Sequence, residues 1–139
     1  MTRVDFYILP EGNTHTAVNY TARLVEKAFR RGHDIYVHTA TEAQTEALSE
    51  ALWQRPNSFL GHQCGEQDGH CAIRLCHSGD PSQHGDVMVN LSGDIPTFFS
   101  RFQRVAEIVP ADPNSRTQSR KNYRFYQDRG YALNTHNIK

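Results

Sequence analysis

The chain has 139 residues and a mass of 15.9 kDa, room for one domain and little more. Its 37% hydrophobic and 22% charged residues are an ordinary globular balance, which argues against disorder, and no apolar run is long enough to span a bilayer. Fifteen basic residues cancel fifteen acidic ones, so the chain as a whole lacks the cationic excess of a protein held to DNA by counterion release.

Met1-Thr2-Arg3-Val4-Asp5 passes directly into Phe6-Tyr7-Ile8-Leu9 with no apolar leader, so export is not expected. Val4 to Leu9 reads as a first strand, closed by Pro10-Glu11-Gly12-Asn13. Ala17, Tyr20, Thr21, Leu24, Val25 and Ala28 recur at spacings of three and four, one face of an amphipathic helix that Gly32 stops. Ile35 to His38 is a second strand. Thr41-Glu42-Ala43-Gln44 fits a capping box for a second helix, with an apolar face through Ala43, Ala47, Leu48, Ala51 and Leu52 and with Pro56 beyond its end. This strand–helix–strand–helix order predicts an α/β fold with a mainly parallel sheet. Residues 61–70 and 77–86 read as surface loops. Ala72 to Leu75 between them is a strand of alternating exposure, and Asp86 to Leu91 is a strand buried on both faces. Phe98, Phe99 and Phe102 place a helix at Pro96 to Arg104, and Val105 to Val109 reads as the last strand. A basic helix over 115–129 follows, ended by Gly130. No repeat or long linker interrupts this single domain.

Charge is unevenly placed. Residues 114–139 hold Arg116, Arg120, Lys121, Arg124, Arg129 and Lys139 against Asp128 alone, a net +5, which leaves −5 on residues 1–113. The three cysteines, Cys64, Cys71 and Cys76, are odd in number and lack a secreted disulfide framework, which suits the cytoplasm.

Three chemistries are weighed and set aside. The turn after the first strand has one glycine, and neither GxGxxG nor GxxxxGK[ST] occurs, so no nucleotide cofactor is expected. His62, Cys64, His70, Cys71, Cys76, His77 and His84 crowd 23 residues, but the thiols lack the close pairing of a zinc site; small half-buried cysteines among loop histidines are the plainer account, and no metal is expected. No nucleophile elbow or cysteine-enzyme signature is present.

Two segments rise above this background. The only tryptophan, Trp53, lies one step beyond the buried stripe of the second helix, beside Arg55, Pro56 and Phe59. Core and interface positions are both open to it. In the basic helix Arg116, Arg120, Tyr123 and Arg124 share one face at i, i+4, i+7 and i+8. Such a face suits carboxylates, which arginine grips with forked bonds, or nucleic-acid phosphates; on spacing alone, a solvated charged face is a somewhat better account.

These segments carry a resemblance. The run Ala51-Leu52-Trp53-x-Arg55-Pro56-x-Ser58-Phe59-x-x-His62, the Val109-Pro110 pair and the tail Arg120-x-x-Tyr123-Arg124-x-Tyr126-x-x-x-Gly130-Tyr131-x-Leu133-Asn134 resemble the chi-subunit family of bacterial DNA polymerase III, in matching order along nearly the whole chain. The resemblance implies a Rossmann-like three-layer fold without a nucleotide loop and a non-catalytic role in the clamp-loader assembly during DNA replication. It implies two partners: the psi subunit, and the acidic, phenylalanine-ended C-terminal tail of single-stranded DNA-binding protein (SSB), which ties the subunit to DNA indirectly. By position, the psi-facing residues are Leu52, Trp53, Arg55, Pro56 and Phe59, a surface that serves a helicase-like partner in some members. The tail-binding residues are Val109, Arg116, Arg120, Tyr123, Arg124 and Gly130. The competing function is direct single-stranded DNA binding by the basic helix.

Overall fold

A computed structural model describes residues 2–10, 14–53, 63–64, 73–76 and 85–138. The elements run β1 (Arg3–Ile8), α1 (Thr14–Arg30), β2 (Ile35–His38), α2 (Glu42–Trp53), β3 (Gln63–Cys64), β4 (Ile73–Cys76) and β5 (Val87–Asn90). A 3-10 turn (Phe99–Arg101), β6 (Arg104–Val109), α3 (Pro113–Asp128) and β7 (Ala132–Asn137) complete them. Seven strands form one sheet in the order β3-β4-β2-β5-β6-β1-β7, and every neighbouring pair is parallel. Among the described residues no helix is long and apolar enough to cross a membrane.

Side-chain alternation along the strands divides the core into two. Tyr7 and Leu9 join Val37, Val89, Ala106 and Ile108 beneath α1 and α2, which contribute Ala22, Val25, Leu48 and Leu52. Val4 and Phe6 point to the other face, where Tyr36, Met88, Val105 and Val109 meet Phe99, Phe102 and Tyr126. The result is the expected three-layer α/β architecture, with helices on both faces of a parallel sheet. α1 ends as expected. The Gly32 and His33 amides donate to the Phe29 and Ala28 carbonyls, and Gly32 takes a φ of 87° that a β-carbon would resist.

Several expectations need correction. β6 is not the last strand. β7 adds to β1 with the register Leu133↔Val4 and His136↔Tyr7; it is an exposed edge strand of polar residues, so it lacks the alternation that betrays a half-buried strand. The stretch from Pro96 to Arg104 is no α-helix but the single 3-10 turn. Phe99 and Phe102 are buried and Phe98 is half-buried, because the turn lays these rings straight onto the sheet before β6 begins. Within the segment read as a loop at 61–70, Gln63 and Cys64 pair with Arg74 and Leu75. β4 shows no alternating exposure, since Ile73, Arg74 and Leu75 are all buried inside the sheet. The inner face of α2 runs through Thr45, Leu48 and Leu52, with Ala43 and Ala47 exposed. Thr45 turns inward because its hydroxyl is satisfied by Thr39 and the Thr41 carbonyl. The basic helix starts at Pro113, two residues early, because proline suits the first turn and Asp112 caps it.

Candidate functional site

The chain leaves β1 for α1 on one face of the sheet and leaves the adjacent β6 for α3 on the other. Open α/β sheets bind ligands in the crevice outside such a divergence, at the carboxyl ends of the strands. Here it is a cleft of about 490 Å³, between the turns after β5 and β6 and the first turns of α3. Among the described residues its lining includes Ser92, Ser115, Ser119 and Asn122, the two carboxylates Glu107 and Asp112, and no lysine or arginine. A phosphate placed there would meet these acids, with none of the described cleft residues to offset them.

Glu107 is the unusual member. It is a lone acid in the strand Val105-Ala106-Glu107-Ile108-Val109, and it lies fully within the protein. Its carboxylate accepts the Tyr126 hydroxyl at 2.7 Å and the Asn90 amide at 3.1 Å. Burial pushes its pKa up to about 7, although both bonds pull the other way. Tyr126 answers in kind: burial and the facing Glu107 charge push its phenol well above the ordinary range. The Asn90–Glu107–Tyr126 chain ties β5, β6 and α3 together beneath the cleft. Sequence reasoning passed it by, though one acid amid branched apolar residues was its visible signal.

α3 carries the predicted basic face. At its start the Asp112 carboxylate accepts the Ser115 amide at 2.9 Å and the Ser115 hydroxyl at 2.7 Å, bonds that hold its pKa below the ordinary aspartate value. At its end the Gly130 and Tyr131 amides donate to the Gln127 and Tyr126 carbonyls, with Gly130 at φ 79° and the Tyr131 ring against Tyr126. Tyr123 is half-buried, its ring 5.4 Å from Phe6 and in one cluster with Val109. Arg116 is half-buried and donates to the Leu9 carbonyl at 3.1 Å, while the Leu9 amide donates to the Val109 carbonyl; Arg116 thus pins the helix to the ends of β1 and β6. Its Nε is buried without a hydrogen-bond partner. Arg120 and Arg124 are exposed, and no salt bridge among the described residues engages them or Lys121.

The structure therefore gathers Val109, Arg116, Arg120, Tyr123 and Arg124 along one flank of α3. Gly130 lies fourteen residues beyond Arg116, roughly 20 Å along the helix. On the second predicted surface, Leu52 is buried in the core, as the helical stripe requires, and Trp53 is the last residue of α2. Arg55, Pro56 and Phe59 lie outside the described residues, as does most of the His/Cys segment. Among the described residues no cluster of three His, Cys, Asp or Glu could hold a metal.

This architecture defines an α/β domain of Rossmann-like form whose crevice is acidic and whose cations lie on a helix flank outside it. The solved structure of T4 UvsW shares the fold at a TM-score of 0.66, covering 98% of this chain and 42% of that one at 10% identity. A sequence model of the DNA polymerase III chi subunit matches residues 1–134. The DNA polymerase III subunit chi of Pseudomonas aeruginosa is 38% identical over 99% of this chain and 98% of its own length. Those of Haemophilus influenzae and Escherichia coli are 33% and 27% identical, covering 96% and 97% of both chains. The chain belongs to the DNA polymerase III chi subunit family, a replication accessory subunit.

Proposed function

We propose that the protein is a non-catalytic cytoplasmic adaptor with two docking surfaces. The flank of α3 takes the acidic, phenylalanine-ended C-terminal tail of SSB, and the surface around Trp53, Arg55, Pro56 and Phe59, backed by Leu52, takes the psi subunit. Together they link the clamp loader to coated template. One observation carries the tail site: Arg120, Lys121 and Arg124 stand exposed, with no carboxylate paired to them among the described residues, beside a tyrosine ring anchored on the sheet. Three exposed cations and an aromatic wall complement an acidic peptide with an aromatic end. The flank from Arg116 to Gly130, roughly 20 Å, matches about six extended residues.

So small an interface gives a Kd of roughly 1 μM, about 8 kcal/mol. Arg120→Ala and Tyr123→Ala should each weaken a short Asp-rich, Phe-terminated peptide at least about tenfold by fluorescence anisotropy, since each removes a central contact. The affinity should also fall as salt rises from 50 to 300 mM. Unchanged affinity in both variants refutes the site, and tighter binding of an equally charged oligonucleotide to this flank would favour direct DNA binding. Trp53→Ala should abolish co-purification with psi and leave the melting temperature within a few degrees. Collapse of the melting temperature would place the indole in the core instead.

A further inference from the structure

α1 carries a second cationic face, and nothing in the adaptor role uses it. Arg23, Lys27 and Arg30 fall at i, i+4 and i+7, Arg31 follows in the turn just past the helix, and all four are exposed. Arg30 pairs with Glu26 at 2.9 Å, whereas no salt bridge among the described residues engages Arg23, Lys27 or Arg31. These cations stand on a body that is otherwise acidic, next to α2 with Glu42, Glu46 and Glu50.

The face borders a groove. Beyond α1 the β1 residues Asp5 and Tyr7 are buried, but the neighbouring edge strand β7 is exposed almost throughout. The floor is aromatic. His136 of β7 stacks on Tyr7 of β1 at 4.9 Å and 16°, and Tyr20 of α1 leans on Tyr7 at 5.9 Å. Tyr7 is buried beneath, but His136 is 43% exposed and Tyr20 is half-buried, so ring edges and faces reach the surface. A hollow of about 430 Å³ lies against the wall, lined by Tyr7, Tyr20, Arg23, Leu24, Lys27 and Arg30 together with Glu26, whose carboxylate is already paired with Arg30, and His136 stands at its edge on Tyr7. Asp5 in the floor is fully buried and already bound by Arg104 at 2.8 Å, His136 at 3.4 Å and Arg3 at 3.5 Å, so its charge is met within the protein and the free face of the His136 ring is what remains for a ligand.

We propose that this groove binds a short run of single-stranded nucleic acid, the α1 cations taking phosphates and the Tyr20 and His136 rings taking bases. Cations interleaved with aromatic faces are the physical requirement for binding single strands without sequence preference. A purely acidic peptide would use the cations and leave the rings without partners, and a peptide with one aromatic end would fill only one of them, whereas successive bases can use both, so the observations favour a nucleic acid. The site is on the opposite face of the sheet from α3 and does not depend on the tail-binding role.

Anisotropy of a labelled oligothymidylate with the full chain tests this. Three to four phosphate contacts predict a slope of about −2 to −3 in log affinity against log salt. Arg23→Glu with Lys27→Glu should weaken binding at least about tenfold and flatten the slope by roughly 1.4. Tyr20→Leu, which keeps apolar volume and removes the ring, should weaken it about tenfold without changing the slope. Arg120→Glu with Arg124→Glu should leave it within about twofold. No binding at low salt overturns the proposal. So does loss of binding on reversing the α3 charges while the α1 variant binds normally, or equal competition by a polyglutamate of matched charge.

Discussion

Between about pH 4.5 and pH 7 the protein is expected to lose roughly 3 kcal/mol of stability as the pH rises, and the loss traces to Glu107. In the unfolded chain this carboxyl ionises near 4.5; in the fold burial holds it protonated until about 7. Across that window the folded state binds the extra proton, so raising the pH favours unfolding. The contribution is fully present below 4.5 and gone above 7. Asp5 sets the opposite limb. Burial alone would raise its pKa, but the bonds and charges of Arg104, His136 and Arg3 outweigh burial and hold it below its ordinary value. That contribution is present above about 3.8 and lost as the pH falls through the depressed value. Stability should therefore peak near pH 4 to 5. Urea unfolding at half-unit steps from pH 4 to 8 measures the slope. Glu107→Gln keeps the shape and an acceptor for the Tyr126 hydroxyl while removing the titration, so its profile should be nearly flat above pH 4.5. A variant as steep as the parent would assign the slope to other groups.

What could be read in the sequence follows from where each signal arises. β1, β2, β5, β6 and the inner face of α1 were legible because burial against one layer or two writes its period directly into the residues, as in Ile35-Tyr36-Val37 and Val87-Met88-Val89. β7 was not, because an edge strand held by backbone bonds to β1 needs little burial; Leu133 packs inward, and the neighbouring Asn134, Thr135 and His136 are polar and show no apolar alternation. The aromatic run at 98–102 misled because helical spacing also fits a turn pressed onto a sheet. Residue-level reading placed Arg116, Arg120, Tyr123 and Arg124 on one face, and the structure keeps them there. Spacing could not reveal that Arg116 is spent partly on the Leu9 carbonyl, nor that Gly130 stands a helix length away. Those are tertiary facts. The groove beside α1 escaped notice for the same reason: Tyr7, Tyr20 and His136 meet only when β7 docks beside β1.

The largest single loss of stability is expected from Tyr126→Ala. This ring is fully buried and holds α3 to the sheet, touching Phe6 at 6.1 Å, Phe99 at 5.2 Å and Tyr131 at 6.2 Å. Truncation leaves a cavity worth about 3–5 kcal/mol and removes a donor from the buried Glu107. For a domain of this size the melting temperature should fall by roughly 15 °C. Tyr126→Phe separates the two causes. It keeps the ring contacts and strips only the hydroxyl, so about 1–2 kcal/mol should be lost near neutral pH. With one bond to its charged form gone, the Glu107 pKa should rise further, and the stability loss should extend above pH 7. The two variants should also part in function. Phenylalanine leaves α3 docked, with its basic flank intact, whereas alanine frees the C-terminal half of the helix and should weaken the acidic peptide even where the domain stays folded. If both variants bind peptide alike and differ by less than about 1 kcal/mol, the helix is held instead by the Asn122 amide on the Gly93 carbonyl and by Arg116 on Leu9, and the ring is filler.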